Sequence, residues 1–183
     1  MKKEKAHLAG REFVIQFGGL SLGTHNYEFE ISDKFFSFFE SPEINNGKFK
    51  VDLELQKQST MLVLKFFING STNVMCDRCS DEFDMKVEGG QHLIVKLGDE
   101  DFGDNDEIVS VPLNESEFDV SRYIYEFIVL SLPQRRIHPD IKKGRTGCNE
   151  EVLKKLEQIA VKESEKKKAD PRWDKLKELK FKN

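Results

Sequence analysis

Lys48-Phe49-Lys50-Val51-Asp52-Leu53-Glu54-Leu55 alternates charged and apolar side chains without a break. Successive side chains of a strand point to opposite faces, so Phe49, Val51, Leu53 and Leu55 share one face and Lys48, Lys50, Asp52 and Glu54 the other. A strand with one dry and one wet face belongs in an antiparallel sheet packed on one side. Asn46-Gly47 before it is a turn signal, residues 56–59 turn the chain, and residues 61–68 return as a more apolar strand. Phe83, Met85 and Val87 alternate again, and Leu93, Val95 and Leu97 read as a further strand after Gly89-Gly90. Upstream, residues 10–31 read as two short strands around a turn at Gly18-Gly19. Their apolar positions are Phe13, Ile15 and Phe17, then Tyr27, Phe29 and Ile31. Consecutive strands with short turns predict an α+β fold built on an antiparallel β-meander, open or curled into a barrel-like sheet.

Helical signals follow a different period. Ser32 caps a short expected helix through Phe39, whose phenylalanines at 35, 36, 38 and 39 are too dense for an exposed face. Asp119 reads as an N-cap, and Val120, Tyr123, Ile124, Phe127 and Ile128 fall on one face of a helix ending before Pro133. A further helix is expected from Asn149, with Val152, Leu153, Leu156 and Ile159 on its apolar side. Residues 99–118 read as an acidic loop with an extended piece near 108–113. Residues 162–169 read as a polar linker, after which Asp170 and Pro171 open a short terminal helix carrying Trp173, Leu176 and Leu179. The expected organisation is one β-rich domain with helices over 1–161, and a charged linker with a tethered C-terminal helix over 162–183.

The chain has 183 residues, 38% of them hydrophobic and 34% charged, enough for one core under a heavily charged surface. Its net charge of −4 divides into +4 for residues 162–183 and −8 for residues 1–161. Nine acidic residues and no basic one lie between Asp99 and Asp119. This balance argues against a general nucleic-acid coat, yet two basic segments are suited to touch phosphate. One is Arg135, Arg136, Lys142, Lys143 and Arg145, offset only by Asp140; the other is Arg172, Lys175 and Lys177, where Trp173 is suited to stack on a base. The plain alternative is a pair of solvated segments, the second docked back on its own domain. No apolar run reaches the roughly 18 residues of a membrane span, and no apolar region follows the basic Met1–Lys5, so a cytoplasmic protein is expected.

Three cysteines do not make a disulfide framework. Cys76-Asp77-Arg78-Cys79 sits between two strand-like runs, where a turn presents two thiolates to a metal. A tetrahedral zinc needs two further ligands, and His138 and Cys148 can supply them. Against this, the spacing matches no familiar finger and no glycine follows Cys79, so free buried thiols are the alternative. A redox CxxC would open a helix in a βαβ unit, which is not the context here. GxSxG, HExxH, Walker A and GxGxxG are all absent, and nothing would orient His138 as a base for Cys148. The carboxylates of 99–107 lack EF-hand spacing. No catalysis is expected.

Three segments together resemble the YceD-type proteins, a bacterial and plastid family associated with accumulation of large-subunit ribosomal RNA. Cys76-Asp77-Arg78-Cys79 with Phe83 resembles the family's CxRC turn and next strand. Phe118-Asp119 through Leu130-Ser131-Leu132-Pro133 resembles its helix ending in LxLP, and Asp170-Pro171-Arg172-Trp173-Asp174-Lys175-Leu176 its closing DPR tail. The resemblance spans most of the chain from Phe49 onward. Relatives often carry several cysteines after Pro133, where this chain has the single Cys148 with His138 placed to replace a thiolate. The resemblance implies a β-rich, non-enzymatic factor in ribosome biogenesis, acting on large-subunit ribosomal RNA or its precursor, or on a large-subunit ribosomal protein, with no known cofactor. Two other functions stay open: a protein–protein adaptor docking through its C-terminal helix without RNA contact, and a zinc-dependent enzyme.

Overall fold

The computed structural model describes residues 10–39, 44–98, 108–142 and 145–160. A short 3-10 turn, Arg11–Phe13, leads into β1 (Val14–Gln16), followed by β2 (Gly23–Ile31) and the single-turn helix α1 (Asp33–Phe36). The long strands are β3 (Lys48–Lys57), β4 (Met61–Met75) and β5 (Glu82–Leu97). Then come β6 (Ile108–Val111), β7 (Glu117–Asp119), α2 (Ser121–Leu130), the strand pair β8 (Asp140–Lys142) and β9 (Arg145–Thr146), and α3 (Glu150–Ile159).

The fold is mixed α+β, and its centre is an open five-stranded sheet in the order β2-β3-β4-β5-β6. The alternation at 48–55 does what its period predicts: Phe49, Val51, Leu53 and Leu55 are all buried. Facing them on β4 are Leu62, Leu64, Phe66 and Ile68, and on β5 Met85, Val87, Leu93 and Val95. Helix α2 lies across this dry face over β4 and β5, burying Ile124, Phe127 and Ile128. A run of phenylalanines closes the rim, with Phe13 against Phe35 at 5.0 Å and Phe39 stacked on Tyr125 at 4.1 Å between ring centres. On the wet face, Lys50 pairs with Glu28 (2.9 Å) and Lys65 with Glu54 (2.9 Å) across neighbouring strands. Among the described residues no helix is long and apolar enough to cross a membrane.

Several local expectations are corrected. The two strands read from 10–31 exist but do not pair with each other; β1 pairs antiparallel with β7, and β2 with β3. Gly89-Gly90 is not a turn between strands, because β5 runs through it unbroken. Strand β6 joins β5 in parallel, so the meander is not antiparallel throughout. The helix expected to reach Phe39 is confined to α1, where the Ser37 hydroxyl donates to Lys34 O and Phe38 is left exposed. Val120, not Asp119, takes the N-cap position of α2, but the Asp119 carboxylate still accepts from the Ser121 N–H at 2.9 Å and so satisfies that end. Asn149 caps α3 as expected, its side chain accepting from the Glu151 N–H. The linker and terminal helix expected over 162–183, and residues 99–107 of the acidic loop, lie outside the described residues.

Candidate functional site

The two longest strands are joined by the CxxC turn, so the turn is held at the end of a rigid hairpin. The Cys76 N–H donates to Asp81 O (2.9 Å), the Ser80 N–H to Cys76 O (2.9 Å), and the Arg78 N–H to Cys76 Sγ (3.4 Å). Folding this tightly requires a left-handed residue, and Ser80 supplies it at φ 61°. The glycine missing after Cys79 is thus replaced by a serine in the conformation glycine would favour. Removing its Cβ relieves that strain. Ser80→Gly is expected to raise stability by about 1 kcal/mol, measured by chemical denaturation, and an unchanged or lower midpoint would refute the strain.

The chain between α2 and α3 returns over this turn. The Asp77 N–H donates to Arg136 O (2.7 Å), and the Arg136 N–H donates back to the Asp77 carboxylate (2.7 Å), a two-point backbone clamp. Phe83, at the start of β5, packs its ring on His138 with 4.5 Å between centres. Asn149, while capping α3, also donates through its side-chain amide to the Asp81 carboxylate (3.1 Å). The β8–β9 pair folds the excursion back on itself, and the Gly147 N–H donates to Pro139 O (3.1 Å), which sets Cys148 beside His138. A Cβ at Gly147 would lie 3.0 Å from Pro139 O and 3.1 Å from His138 Cβ, so a larger residue would press these two apart at the crossing.

All four residues nominated as metal ligands meet here. Cys76, Cys79 and Cys148 are buried, His138 is half-buried, and their ligand atoms all lie within 4.8 Å of one another. Cys76 Sγ is 3.8 Å from Cys148 Sγ, and Cys79 Sγ is 3.5 Å from His138 Nδ1. Phe83, Ile137, Val152 and Leu153 surround the cluster, which forms a small core separate from that of the sheet. Burial works to raise the Cys76 thiol. The N–H groups of Cys79, Arg78 and His138, with the His138 ring, outweigh it and hold the thiol down at about 6. Burial pushes the Cys148 thiol up. Three sulfurs and one imidazole nitrogen facing a common point make a donor set for a soft or borderline cation.

The basic residues are placed less uniformly. Arg135 is exposed and Arg136 half-buried on the clamped part of the excursion, Lys142 lies in β8 and Arg145 in β9. Lys143, Arg172, Trp173, Lys175 and Lys177 lie outside the described residues. The clamp residues Asp77, Asp81 and Asn149 carry no metal-ligand signature, and their spacing does not single them out. Their partners are distant in sequence, 59 residues away for Asp77, and no local period registers such a contact.

Comparison with known proteins gives one positive finding. A family model described as "Large ribosomal RNA subunit accumulation protein YceD" matches residues 64–180, from within β4 through the whole Cys/His cluster. Searches of the curated proteins and of the solved structures each find no match.

Proposed function

Since the chain belongs to the YceD family of large ribosomal RNA subunit accumulation proteins, we propose that it supports accumulation of that RNA as a non-catalytic binding factor in the cytoplasm. Its partner is large-subunit ribosomal RNA or its precursor, or a large-subunit ribosomal protein. The contacts fall on Arg135, Arg136, Lys142, Lys143 and Arg145, with Arg172, Trp173, Lys175 and Lys177 as a second set. One observation carries this placement. Two lysines of the sheet's wet face are engaged by neighbouring carboxylates, Lys50 by Glu28 and Lys65 by Glu54. The excursion over the CxxC turn instead holds Arg135 exposed on a backbone fixed at the next residue. A charge on a fixed backbone loses less freedom when it meets a phosphate.

Binding of a large-subunit ribosomal RNA transcript, titrated with salt, tests the reading. Reversing Arg135 and Arg136 to Glu is expected to weaken binding and to flatten the log K against log salt line, by about 0.7–0.9 for each phosphate the protein no longer neutralises. An unchanged slope and affinity would exclude this patch.

A second reading, the protein adaptor, has its own support. Leu156 and Ile159 on α3 are 45% and 76% exposed, an apolar strip on the helix that precedes the C-terminal segment. The charge of −8 over residues 1–161 also suits a protein partner better than a phosphate backbone. Copurification of a ribosomal protein that survives nuclease treatment would favour this reading over RNA contact.

A further inference from the structure

We propose that Cys76, Cys79, His138 and Cys148 bind one zinc ion in a closed, structural site that fastens the 133–149 excursion to the β4–β5 turn. The argument begins with distances. A tetrahedral zinc with sulfur at about 2.3 Å and imidazole nitrogen at about 2.0–2.1 Å spaces its ligands about 3.8 Å apart for sulfur–sulfur and about 3.6 Å for sulfur–nitrogen. The cluster has 3.8 Å between Cys76 Sγ and Cys148 Sγ, and 3.5 Å between Cys79 Sγ and His138 Nδ1. These are edges of the required tetrahedron, and the remaining separations stay within 4.8 Å.

The ligands also converge from separate pieces of chain that are individually held. The hairpin turn presents Cys76 and Cys79. Phe83 packs on His138 at a tilt, and Cys148 is set by its N–H donating to Thr146 Oγ1 (3.3 Å) and by the cap of α3 directly after it. Two simpler accounts fit less well. An apolar thiol cluster would have no use for an imidazole nitrogen aimed at Cys79 Sγ. A disulfide would consume two sulfurs and leave the third thiol and His138 without a role. Iron–sulfur clusters ordinarily take four thiolates, whereas three thiolates and one imidazole form a standard structural zinc set.

Four protein ligands fill the coordination sphere. A catalytic zinc keeps one position for water or substrate, so four protein ligands give the zinc here the part of holding the chain together. The site does not depend on what the protein binds, because its readouts involve neither RNA nor a partner.

Elemental analysis of the full chain, purified without chelator, is expected to give about one zinc per molecule. After chelation, cobalt(II) should restore the visible bands of a tetrahedral, thiolate-rich site, and zinc should displace it. Cys148→Ser and His138→Ala are expected to weaken zinc binding by about a hundredfold or more. His138→Cys, which keeps four ligands, is expected to retain the metal and thereby separates loss of a ligand from failure to fold. No zinc in the purified or reconstituted chain, a disulfide among these cysteines in the intact mass, or unchanged affinity in both weakened variants would overturn the site.

Discussion

Phe66→Ala is expected to lower the stability of the fold by about 3–5 kcal/mol, and Phe67→Ala to change it by less than about 0.5. The two phenylalanines are adjacent on β4, yet Phe66 is fully buried and Phe67 is 53% exposed. Phe66 meets Phe127 of α2 edge to face at 5.0 Å, so truncation opens a cavity where helix and sheet join. That cavity has little means of collapsing, because β4 is held on both sides by long paired strands. For a chain of this size, such a loss lowers Tm by about 6–20 °C. Denaturation of the two variants side by side checks the register of the central strand: comparable losses would mean that the dry and wet faces are wrongly assigned.

Gly89→Val is expected to cost about 3 kcal/mol, although it places a strong strand former inside a strand. A Cβ at residue 89 would collide with the Ser131 hydroxyl and come within 2.7 Å of Ser131 Cβ, at the C-terminal end of α2. Turning the hydroxyl aside would break its bond to Phe127 O (2.7 Å) and leave the Cβ contact in place. The helix end must therefore move, taking with it the start of the excursion that carries Arg135 and His138. Gly90→Val is the control, since the nearest atom to its added Cβ is Phe66 O at 3.9 Å. If thermal melts of the two variants coincided, close approach of the helix would not be the reason for glycine at 89.

The same glycines show where the sequence is legible. Phe83, Met85, Val87, Leu93, Val95 and Leu97 all occupy odd positions, so the alternation keeps its phase through Gly89-Gly90. A turn would usually have shifted it, and unbroken parity was the sign of one long strand. Period two at 48–55 and the helical faces of α2 and α3 were readable because each depends on neighbours within one element. Pairing of β1 with β7, and the parallel seat of β6, depend on partners that no local period names. The residues of the Cys/His cluster were readable as types, since thiol and imidazole chemistry is conspicuous in a chain with three Cys and four His. Their convergence was not, because Asp77, Asp81 and Asn149 act through backbone and amide contacts across the fold. Ser80 was misleading for a similar reason: serine carries no preference that marks a left-handed turn.

The order of the sheet bears on how it avoids joining another. A bare outer strand offers unpaired N–H and C=O groups to any strand that arrives. Among the described residues the outer strand at one rim is β2, whose wet side carries Glu28 and Glu30. A second copy laid antiparallel over that half would set carboxylate against carboxylate, which opposes its own pairing. At the other rim, among the described residues, β6 pairs with β5 from Ile94 to Leu97, and the earlier stretch of β5 presents Glu82, Asp84, Lys86 and Glu88 on its exposed side. Both margins thus carry charge, so the residues that make the sheet's outer face wet also discourage it from growing into an aggregate.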